Sequence, residues 1–416
     1  MSYIKDMALK DEGHQKIAWA EKHMPVLNAI GDRLEQEQPF RGKRIALSIH
    51  LEAKTAQLVR TLARGGAEMF VTGSNARSTQ DCVCAALADE GHEVFAIHGA
   101  SPEKTQLLWK KTLSCMPDIV IDDGAELVHL LLGECSDYAG RLIGGCEETT
   151  SGIIRLRQWE REKRLPFPMM SVNDARCKSY FDNTYGTGQS TWDSIMRTTN
   201  LELNGKTVVV AGYGYCGKGV AHIAKGLNAQ VIVTEADPVK AILAIMDGFR
   251  AMSMEKAAPL GDIFVTVTGC CDVIRPCHFS QMKNGAILAN AGHFDIELDL
   301  AGLEAMSCAR KELRKNLTGY TLRDGRTIAV VADGNLCNIA AADGHPVEIM
   351  DMSFALQAMA AEYLLQQAGE LQPGLVRIPD AIDLYVAMLK LKALGGSYEI
   401  LTQEQQKYLG LQSSIR

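Results

Sequence analysis

A glycine-rich turn between an apolar run and a helical segment constrains the fold most. Residues 208–211 read Val-Val-Val-Ala, and Gly212, Gly214 and Gly217 follow with the spacing GxGxxG. In this arrangement the first glycine allows a tight turn, the second lets a ligand approach the backbone, and the third lets the helix pack closely on the strand. The glycines alone are a weak signal, but the apolar strand and the helix are both present here. The segment predicts a parallel sheet with a ligand-binding edge.

An acidic residue follows at the distance that a dinucleotide site requires. Glu235 ends the next apolar run, residues 231–234, and it lies roughly 20 residues beyond the glycines. A carboxylate there accepts hydrogen bonds from the adenosine ribose and repels the extra phosphate of NADP. The predicted cofactor is therefore NAD, with its phosphates at the N-terminus of the helix that follows the turn.

Short apolar runs alternate with helical stretches on both sides of this unit. They are residues 44–49, 68–72, 93–97, 118–122, 206–211, 230–234, 262–266 and 285–289. Such alternation predicts α/β domains with parallel, doubly wound sheets of the Rossmann type. We expect two such domains and a helical C-terminal tail: a substrate-binding domain at 1–184 that 346–385 completes, an NAD-binding domain at 185–345, and a tail at 386–416.

Composition narrows the partners and the compartment. The chain of 416 residues has a net charge of −7 and no basic block with interleaved aromatic residues, so nucleic acid is not an expected partner. No apolar stretch reaches the roughly 20 residues that span a bilayer, and no signal peptide is recognisable. We therefore expect a cytoplasmic protein without membrane contact.

The cysteines give no sign of a metal centre. All 12 are expected to be free thiols in a reducing compartment. Cys82 with Cys84, or Cys270 with Cys271, could begin a zinc site, but no second pair follows at the required spacing. No metal is predicted.

Polar side chains follow several apolar runs, at the edge where open α/β sheets bind ligands. Asp122 and Asp123 end one run. Further along, Lys178 and Asp182 are four residues apart, which would place both on one face of a helical turn. Such a pair could act as a base and its partner at a reacting hydroxyl, although the spacing alone favours a surface ion pair.

A series of motifs in order resembles the S-adenosylhomocysteine hydrolase family over nearly the whole chain. The motifs are Ser78-Thr-Gln-Asp81, Asp122-Asp123-Gly124, Glu147-Glu-Thr-Thr150, Phe181-Asp-Asn-Thr-Tyr-Gly186, Gly292-His-Phe-Asp295 and Gly344-His-Pro346. The resemblance implies a reaction in which NAD oxidises the ribose 3′-hydroxyl of a nucleoside thioether, homocysteine leaves by elimination, water adds, and the ketone is reduced. It also implies a hinge that closes over the substrate and a homotetramer.

The same resemblance assigns roles to the polar residues. Lys178 and Asp182 would act at the 3′-hydroxyl, and Glu148 would bind the ribose hydroxyls. His50 and Asp123 would handle the 4′ proton and the water. The other residues that it implies are His293 for catalysis, then Glu52, Lys54, Thr55, Asp343 and His345 for the substrate, and Thr149, Thr150, Ser151, Asn183, Thr268 and Asn338 for NAD.

Three departures from the family pattern touch the nucleobase. Glu52 and Lys54 stand where many members have a threonine and a glutamine or glutamate, and Asp343 stands where methionine is frequent. The adenine amine could donate to Glu52 or Asp343, whereas the hypoxanthine oxygen could accept from Lys54. S-Adenosylhomocysteine is the predicted substrate, and S-inosylhomocysteine is the alternative.

Other departures concern the thiols, the cofactor and assembly. Thr187 stands where many relatives have a cysteine, so no cysteine is expected to be catalytic. Residues 411–416 lack the tail with lysine and tyrosine that reaches a neighbouring subunit's NAD in many relatives, which predicts a lower cofactor affinity. Asn335 stands where an arginine is common in the family, and a homotetramer is still expected.

Two other protein classes fit part of this pattern. A conventional NAD dehydrogenase would share the glycine turn but release NADH at each turnover, and the order of the motifs argues against it. A catalytically silent NAD-binding regulatory homologue would have lost some of the residues with assigned roles. The whole set His50, Asp123, Glu148, Lys178 and Asp182 is present, so an active hydrolase is predicted.

Overall fold

Two sheets, each covered by helices on both faces, form the structure, which is a computed structural model describing residues 2–410. The first six strands are β1 (Arg44–Ile49), β2 (Glu68–Gly73), β3 (Glu93–Phe95), β4 (Ile119–Asp122), β5 (Gly144–Glu147) and β6 (Pro168–Ser171). The helices around them are α1 (Lys10–Lys22), α2 (Pro25–Glu37), α3 (Ala53–Arg64), α4 (Asp81–Asp89), α5 (Pro102–Leu113), α6 (Glu126–Leu131), α7 (Thr150–Arg161) and α8 (Arg176–Ser179).

The second sheet follows after a short π-helix at Asp182–Gly186. Its strands are β7 (Thr207–Ala211), β8 (Gln230–Thr234), β9 (Arg250–Ala251), β10 (Ile263–Thr266), β11 (Ile287–Asn290), β12 (Ser307–Arg314), β13 (Leu317–Leu322) and β14 (Thr327–Val331). Its helices are α9 (Thr187–Thr199), α10 (Tyr215–Gly226), α11 (Pro238–Met246), α12 (Met254–Ala257), α13 (Pro276–Phe279), α14 (Leu300–Met306) and α15 (Cys337–Ala340).

The chain then returns to the first sheet. Helix α16 (Val347–Gln366) packs its apolar residues into the same core as α2 and α3, and β15 (Gly374–Arg377) pairs in parallel with β6. Helices α17 (Asp380–Ala393) and α18 (Gln403–Tyr408) end the described part. The prediction about residues 411–416 lies outside the described residues.

The strand orders confirm the predicted doubly wound α/β class. They are β15-β6-β5-β4-β1-β2-β3 for the first sheet and β12-β13-β14-β11-β10-β7-β8-β9 for the second. In both, the central strands are parallel and buried on both faces, which explains why they read as continuous apolar runs. Strands β12 and β13 differ from the prediction because they form an antiparallel hairpin. Within residues 2–410, no helix combines the length and apolar character that crossing a membrane requires.

The glycine-rich turn has the geometry that its sequence predicts. It joins β7 to α10, and Gly212 has a φ of 104°, in the left-handed region where a side chain is strained. A Cβ on Gly217 would lie 2.0 Å from the carbonyl oxygen of Gly212, so the helix can approach the turn only without a side chain. The N-terminus of α10 is therefore held at the carboxyl edge of the second sheet.

A second glycine contact joins α10 to the segment between the two sheets. A Cβ on Gly219 of α10 would lie 1.8 Å from the carbonyl oxygen of Thr184 in the π-helix. A Cβ on Gly188 of α9 would lie 2.7 Å from the backbone of Gly219. The π-helix, α9 and α10 are therefore in direct backbone contact.

Candidate active site

A cavity of about 410 Å³ lies between the carboxyl edges of the two sheets. Loops from both sheets line it, as expected for ligand sites in open α/β sheets. Of the residues predicted for the site from sequence, all but Gly217 and Asp343 line this cavity. Residues that are distant in the chain are thus brought to one place.

A buried ion-pair cluster lies on one side of the cavity. The Lys178 Nζ lies 3.4 Å from Asp182 Oδ1 and 3.9 Å from Glu148 Oε1, and it donates a 2.6 Å hydrogen bond to Asn183. Burial opposes the charged lysine, but the two carboxylates outweigh it and raise the pKa of Lys178. The spacing of Lys178 and Asp182 therefore reflects a buried pair rather than the surface pair that spacing alone favours.

Asp182 is the ionised partner in this cluster. His345 Nδ1 lies 2.8 Å from Asp182 Oδ1, and Ser353 donates to the other oxygen at 2.7 Å. Although burial acts in the opposite direction, Lys178 and His345 lower the pKa of Asp182. The π-helix that begins at Asp182 faces both Asp182 and Asn183 into this polar cluster.

Glu148 has the properties of a group that binds hydroxyls. Gln357 donates to its Oε2, while Oε1 is buried without a hydrogen-bond partner among the described residues. Burial raises the pKa of Glu148 to about 8, against the opposing effect of Lys178. A carboxyl group in this state can donate one hydrogen bond and accept others, which suits a vicinal diol.

A second group, of imidazoles and a carboxylate, lines the same cavity. His50 Nε2 lies 3.4 Å from Asp123 Oδ2, and His293 Nδ1 lies 3.9 Å from Asp123 Oδ1. Ser74 donates to Asp123 at 2.7 Å, and the Nδ1 of His50 lies 2.7 Å from Ser78 Oγ. Burial lowers the pKa of His50 to about 4, so the imidazole is neutral at pH 7. A neutral imidazole can accept a proton.

A buried carboxylate positions the loops that carry Asp123 and Glu148. Glu147 accepts backbone hydrogen bonds from Gly124 (2.9 Å), Ala125 (3.0 Å) and Thr149 (2.8 Å), and also the Thr149 hydroxyl. Burial, followed by repulsion from Asp122, raises the pKa of Glu147 well above its usual range. One side chain therefore ties the loop after β4 to the loop after β5.

The predicted nucleobase residues divide into two groups. Lys54 lies 3.0 Å from Glu52 and donates to the backbone carbonyl of Asp343 at 2.9 Å, and all of Lys54, Glu52 and Thr55 line the cavity. The Asp343 side chain is 80% exposed and pairs with Arg197. The prediction that its carboxylate accepts from the nucleobase does not fit this geometry, because the carboxylate points into solvent.

The cofactor side is built mainly from backbone groups. Glu235 accepts three backbone N–H bonds, from Tyr213 (2.7 Å), Ala236 (2.8 Å) and Asp237 (3.1 Å), which fix its carboxylate at the lip of the cavity. The remaining lone pairs of that carboxylate can accept from ribose hydroxyls. Gly212, Gly214, Thr149, Thr150 and Ser151 complete this region of the lining.

Two further groups fit the nicotinamide half of NAD. The Thr268 loop is fixed by Glu297, which accepts from the Thr268 backbone and hydroxyl and from the Gly269 backbone. Asn338 donates to Ser190 and to His345, while its Oδ1 is buried with no partner among the described residues. An unpaired buried acceptor suits the carboxamide of nicotinamide, so the lining fits NAD.

Sequence reasoning missed the contribution of α16. Ser353 donates to Asp182, and Gln357 donates to Glu148. They are four residues apart on α16, whose buried residues are mostly apolar, and so lie on one face, a signal that the sequence does contain. Glu147 and Glu297 were also missed as positioning groups, because most of their partners are backbone N–H groups, which leave no side-chain pattern.

Comparisons with known proteins show which family the chain belongs to. The chain matches the family described as "S-adenosyl-L-homocysteine hydrolase, NAD binding domain" over residues 183–344 and "S-adenosyl-L-homocysteine hydrolase" over residues 2–138. It is 54% identical over 409 residues to the S-inosyl-L-homocysteine hydrolase of Methanocaldococcus jannaschii, covering 98% of both chains. It is 53% identical over 406 residues to the adenosylhomocysteinase of Pyrococcus abyssi, covering 98% of this chain and 96% of that one. For the adenosylhomocysteinase of Aquifex aeolicus the identity is 52% over 407 residues, covering 98% and 97%.

Proposed function

The chain belongs to the S-adenosyl-L-homocysteine hydrolase family, and we propose that it reversibly hydrolyses S-adenosyl-L-homocysteine to adenosine and L-homocysteine. One observation carries the proposal: a single cavity holds an NAD-binding edge, a lysine and carboxylate cluster, and a separate imidazole and carboxylate group. A simple hydride-transfer enzyme needs only one acid–base group. The second group, around His50 and Asp123, suits the elimination and water addition that come after oxidation.

NAD, when bound, would supply the hydride acceptor for the ribose 3′ carbon and the hydride donor for the final reduction. The residues that would hold it are those of the Gly212 to Gly217 turn, with Glu235, Thr268 and Asn338. The remaining chemistry falls to side chains that bind the ribose, move protons and exclude water. The carbonyl formed at C3′ makes the neighbouring 4′ proton acidic enough for a side chain to remove.

The lysine cluster is suited to the ribose hydroxyls. Glu148 binds the 2′- and 3′-hydroxyls, and Lys178 accepts the 3′-hydroxyl proton. The raised pKa of Lys178 means that its neutral form is minor near pH 7, so oxidation should become faster as pH rises. Asp182 holds Lys178 in place through the 3.4 Å ion pair.

The imidazole group is suited to the 4′ proton and the water. The Nε2 of His50 carries a free lone pair at neutral pH, because burial keeps the imidazole unprotonated. His50 removes the 4′ proton, and Asp123 and His293 orient the water molecule that replaces the departing thiolate. Elimination avoids direct displacement of a thioether at C5′, which is a poor leaving group.

The alternative substrate, S-inosyl-L-homocysteine, is supported by the side-by-side arrangement of Glu52 and Lys54. Adenine would donate its amine to Glu52 and accept from Lys54 at N1, whereas hypoxanthine would donate N1–H to Glu52 and accept from Lys54 at O6. Donor and acceptor are in reversed order on the two bases, so the pair at 3.0 Å serves either base if the two side chains exchange their partners on it. Relatives of both specificities have nearly the same identity to this chain.

The deciding test is thiol release by the NAD-loaded protein, with kcat/KM measured for both nucleosides. A higher value for the adenosyl compound supports the proposal, and a higher value for the inosyl compound supports the alternative. Lys178→Met serves as the inactive control. Release from neither substrate, with NAD bound, would overturn both and favour a silent homologue.

We also propose a homotetramer in the cytoplasm whose domains, residues 1–184 with 346–385 and residues 185–345, close over the substrate. Helix α11 supports the assembly, because Val239, Ile242 and Met246 are 72%, 54% and 80% exposed and need an apolar partner. Light scattering on the purified protein should give the mass of four chains. A monomeric mass would contradict the assembly, and fractionation of cells tests the compartment.

A further inference from the structure

A second cavity, of about 240 Å³, lies outside the active site, between α7 and the strands β6 and β15 at one edge of the first sheet. We propose that it binds the charged end of a free α-amino acid with an apolar side chain, and that its occupancy weakens the binding of NAD. Charges of both signs line it together with an aliphatic side chain: Arg157, Arg161, Arg377, Glu160, Asp174 and Leu375. A zwitterion matches such a lining, whereas a simple anion would be repelled by the two carboxylates.

The fold brings this lining together from distant parts of the chain. Strands β6 and β15 pair in parallel, with Ser171 directly beside Arg377 at their carboxyl ends. Arg157 and Arg161 are four residues apart on α7, so they lie on the same side of the helix, and both reach the cavity. The guanidinium groups thus come from a helix and a strand that no local sequence pattern connects.

Two of the three guanidinium groups are available to a ligand. The side chains of Arg161 and Arg377 form no ion pair and no hydrogen bond within residues 2–410, whereas Arg157 donates to Asp174 at 2.6 Å. The last turn of α7 favours a cation such as Arg161, but this effect does not account for Arg377 on β15. A guanidinium group binds a carboxylate through two parallel hydrogen bonds. These arginines therefore suit the carboxylate of an amino acid.

A fixed carboxylate and a buried hydroxyl complete the set. Glu160 Oε1 accepts the Leu375 N–H at 2.8 Å, and a Cβ on Gly374 would lie 2.5 Å from that oxygen, so glycine leaves room for this contact. Glu160 Oε2 has no partner among the described residues and can accept from an ammonium group. The Ser171 hydroxyl is buried and also lacks a described partner. A bound carboxylate would satisfy this hydroxyl.

A chain of hydrogen bonds connects the cavity to the active site. Arg157 donates to one oxygen of Asp174 at 2.6 Å, and Asn173 donates to the other at 3.2 Å. The Asn173 Oδ1 accepts from Asn183 at 3.1 Å and from Thr150 at 3.2 Å, and both of these line the active-site cavity. A ligand carboxylate would compete with Asp174 for Arg157 and repel it, so Asn173 would lose a fixed acceptor. We therefore expect NAD to be held less tightly.

Calorimetry with L-methionine on the full-length, NAD-loaded protein tests the binding. Methionine has the zwitterionic end and a flexible apolar side chain, and we expect one molecule to bind per chain. N-Acetyl-L-methionine lacks the ammonium group and 3-(methylthio)propylamine lacks the carboxylate. Each should bind at least roughly tenfold more weakly, because each loses a charge-assisted contact.

Variants of the lining locate the site. Arg161→Gln and Arg377→Gln should each weaken methionine binding by roughly tenfold or more, through the same loss of charge-assisted contacts. Arg164→Gln is the matched control, because Arg164 pairs with Glu162 outside the cavity, and it should bind as the parent does. Ser171→Ala should weaken binding without lowering the melting temperature, since the hydroxyl makes no bond in the free protein.

NAD titration in the presence and absence of L-methionine tests the coupling. Saturating methionine should weaken NAD binding by roughly fivefold, at the lower end of usual couplings between sites. The effect should disappear in Arg161→Gln at the same methionine concentration. Unchanged NAD affinity with methionine bound would overturn the coupling.

Three results would overturn the site itself. The first is undiminished methionine binding in both Arg161→Gln and Arg377→Gln, with circular dichroism and NAD content confirming that they fold. The second is an equal loss in Arg164→Gln, and the third is equal binding of N-acetyl-L-methionine. None of these readouts uses thiol release, so a failure of the proposed hydrolase function would appear only in the thiol assay.

Discussion

The two sheets share an architecture but present different chemistry at their carboxyl edges. The first sheet carries ionisable side chains in its loops, such as Asp123, Glu148 and Lys178, all of them buried. The second offers a glycine turn, a helix N-terminus and the backbone-fixed Glu235. The difference teaches that one fold can either hold a cofactor by backbone geometry or perturb protonation by burial, depending on the residues that lie after its strands.

Both edges use the same device to fix their loops. Glu147 accepts from loops after β4 and β5, and Glu297 accepts from the Thr268 loop after β10. Each is a buried carboxylate that accepts from backbone N–H groups and from one threonine hydroxyl. The first fixes catalytic side chains and the second fixes a cofactor contact, so equivalent substitutions should have different consequences.

The largest effect is expected from Lys178→Met. Removing the group that accepts the 3′-hydroxyl proton should lower kcat by about 10³-fold, within the usual range for general acid–base catalysis. NAD affinity should fall less than kcat, because the glycine turn and Glu235 of the other sheet remain intact, although Lys178 also contacts Asn183. Thiol release and NAD titration together check this; a large loss of NAD affinity would show that the two edges are not independent.

Glu147→Gln and Glu297→Gln form the most direct comparison. Each amide replaces an acceptor oxygen with a donor that faces other donors, at a cost of about 1–3 kcal/mol in the free energy of unfolding. Glu147→Gln should lower kcat by about 10–100-fold, since a displaced loop misorients catalytic groups, with a smaller loss of NAD affinity through Thr149.

Glu297→Gln should instead weaken NAD binding, with kcat nearly normal at saturating NAD. Denaturation, NAD titration and thiol release on both variants supply the readouts. If NAD affinity fell equally in the two variants, the proposal that Glu147 mainly fixes catalytic groups and Glu297 a cofactor contact would be wrong.

The pH profile tests whether burial controls the imidazole. Because burial lowers the pKa of His50 to about 4, its neutral form persists from pH 7 down to pH 5. An unshifted imidazole would lose about 97% of its neutral form at pH 5. The His50-dependent part of kcat/KM should therefore change little between these values. An acid limb near pH 6.5 that vanishes in His50→Asn would contradict the assignment.

The smallest effect is expected from Asp343→Asn. Its carboxylate points into solvent and pairs with Arg197, while only its backbone carbonyl contacts Lys54. Removing a charge pair at the surface should alter kcat/KM by less than about twofold for either nucleoside. If kcat/KM changed by more than tenfold for one nucleoside and not for the other, this carboxylate would contact the nucleobase after all.

The sequence predicts the parts of the site that lie directly after apolar strands. The turn at Gly212 and the placement of Asp123 and Glu148 are readable because parallel strands bring their carboxyl ends to one edge. The hairpin of β12 and β13 was not predicted, since β12 is largely exposed and lacks an apolar alternation. The direction of the Asp343 carboxylate depends on Arg197, a residue distant in the chain, and local pattern cannot provide it.

The glycine contacts among the π-helix, α9 and α10 have a mechanical consequence. Gly188 and Gly219 let these segments touch backbone to backbone, and the π-helix carries Asp182 and Asn183. Asp182, which holds the Lys178 amine through the 3.4 Å ion pair, is thereby fixed relative to the helix that begins at the cofactor turn. Lys178 and Glu148 belong to the first sheet, as His50 and Asp123 do. A movement of one sheet against the other would therefore have its pivot at these glycine contacts, next to Asp182.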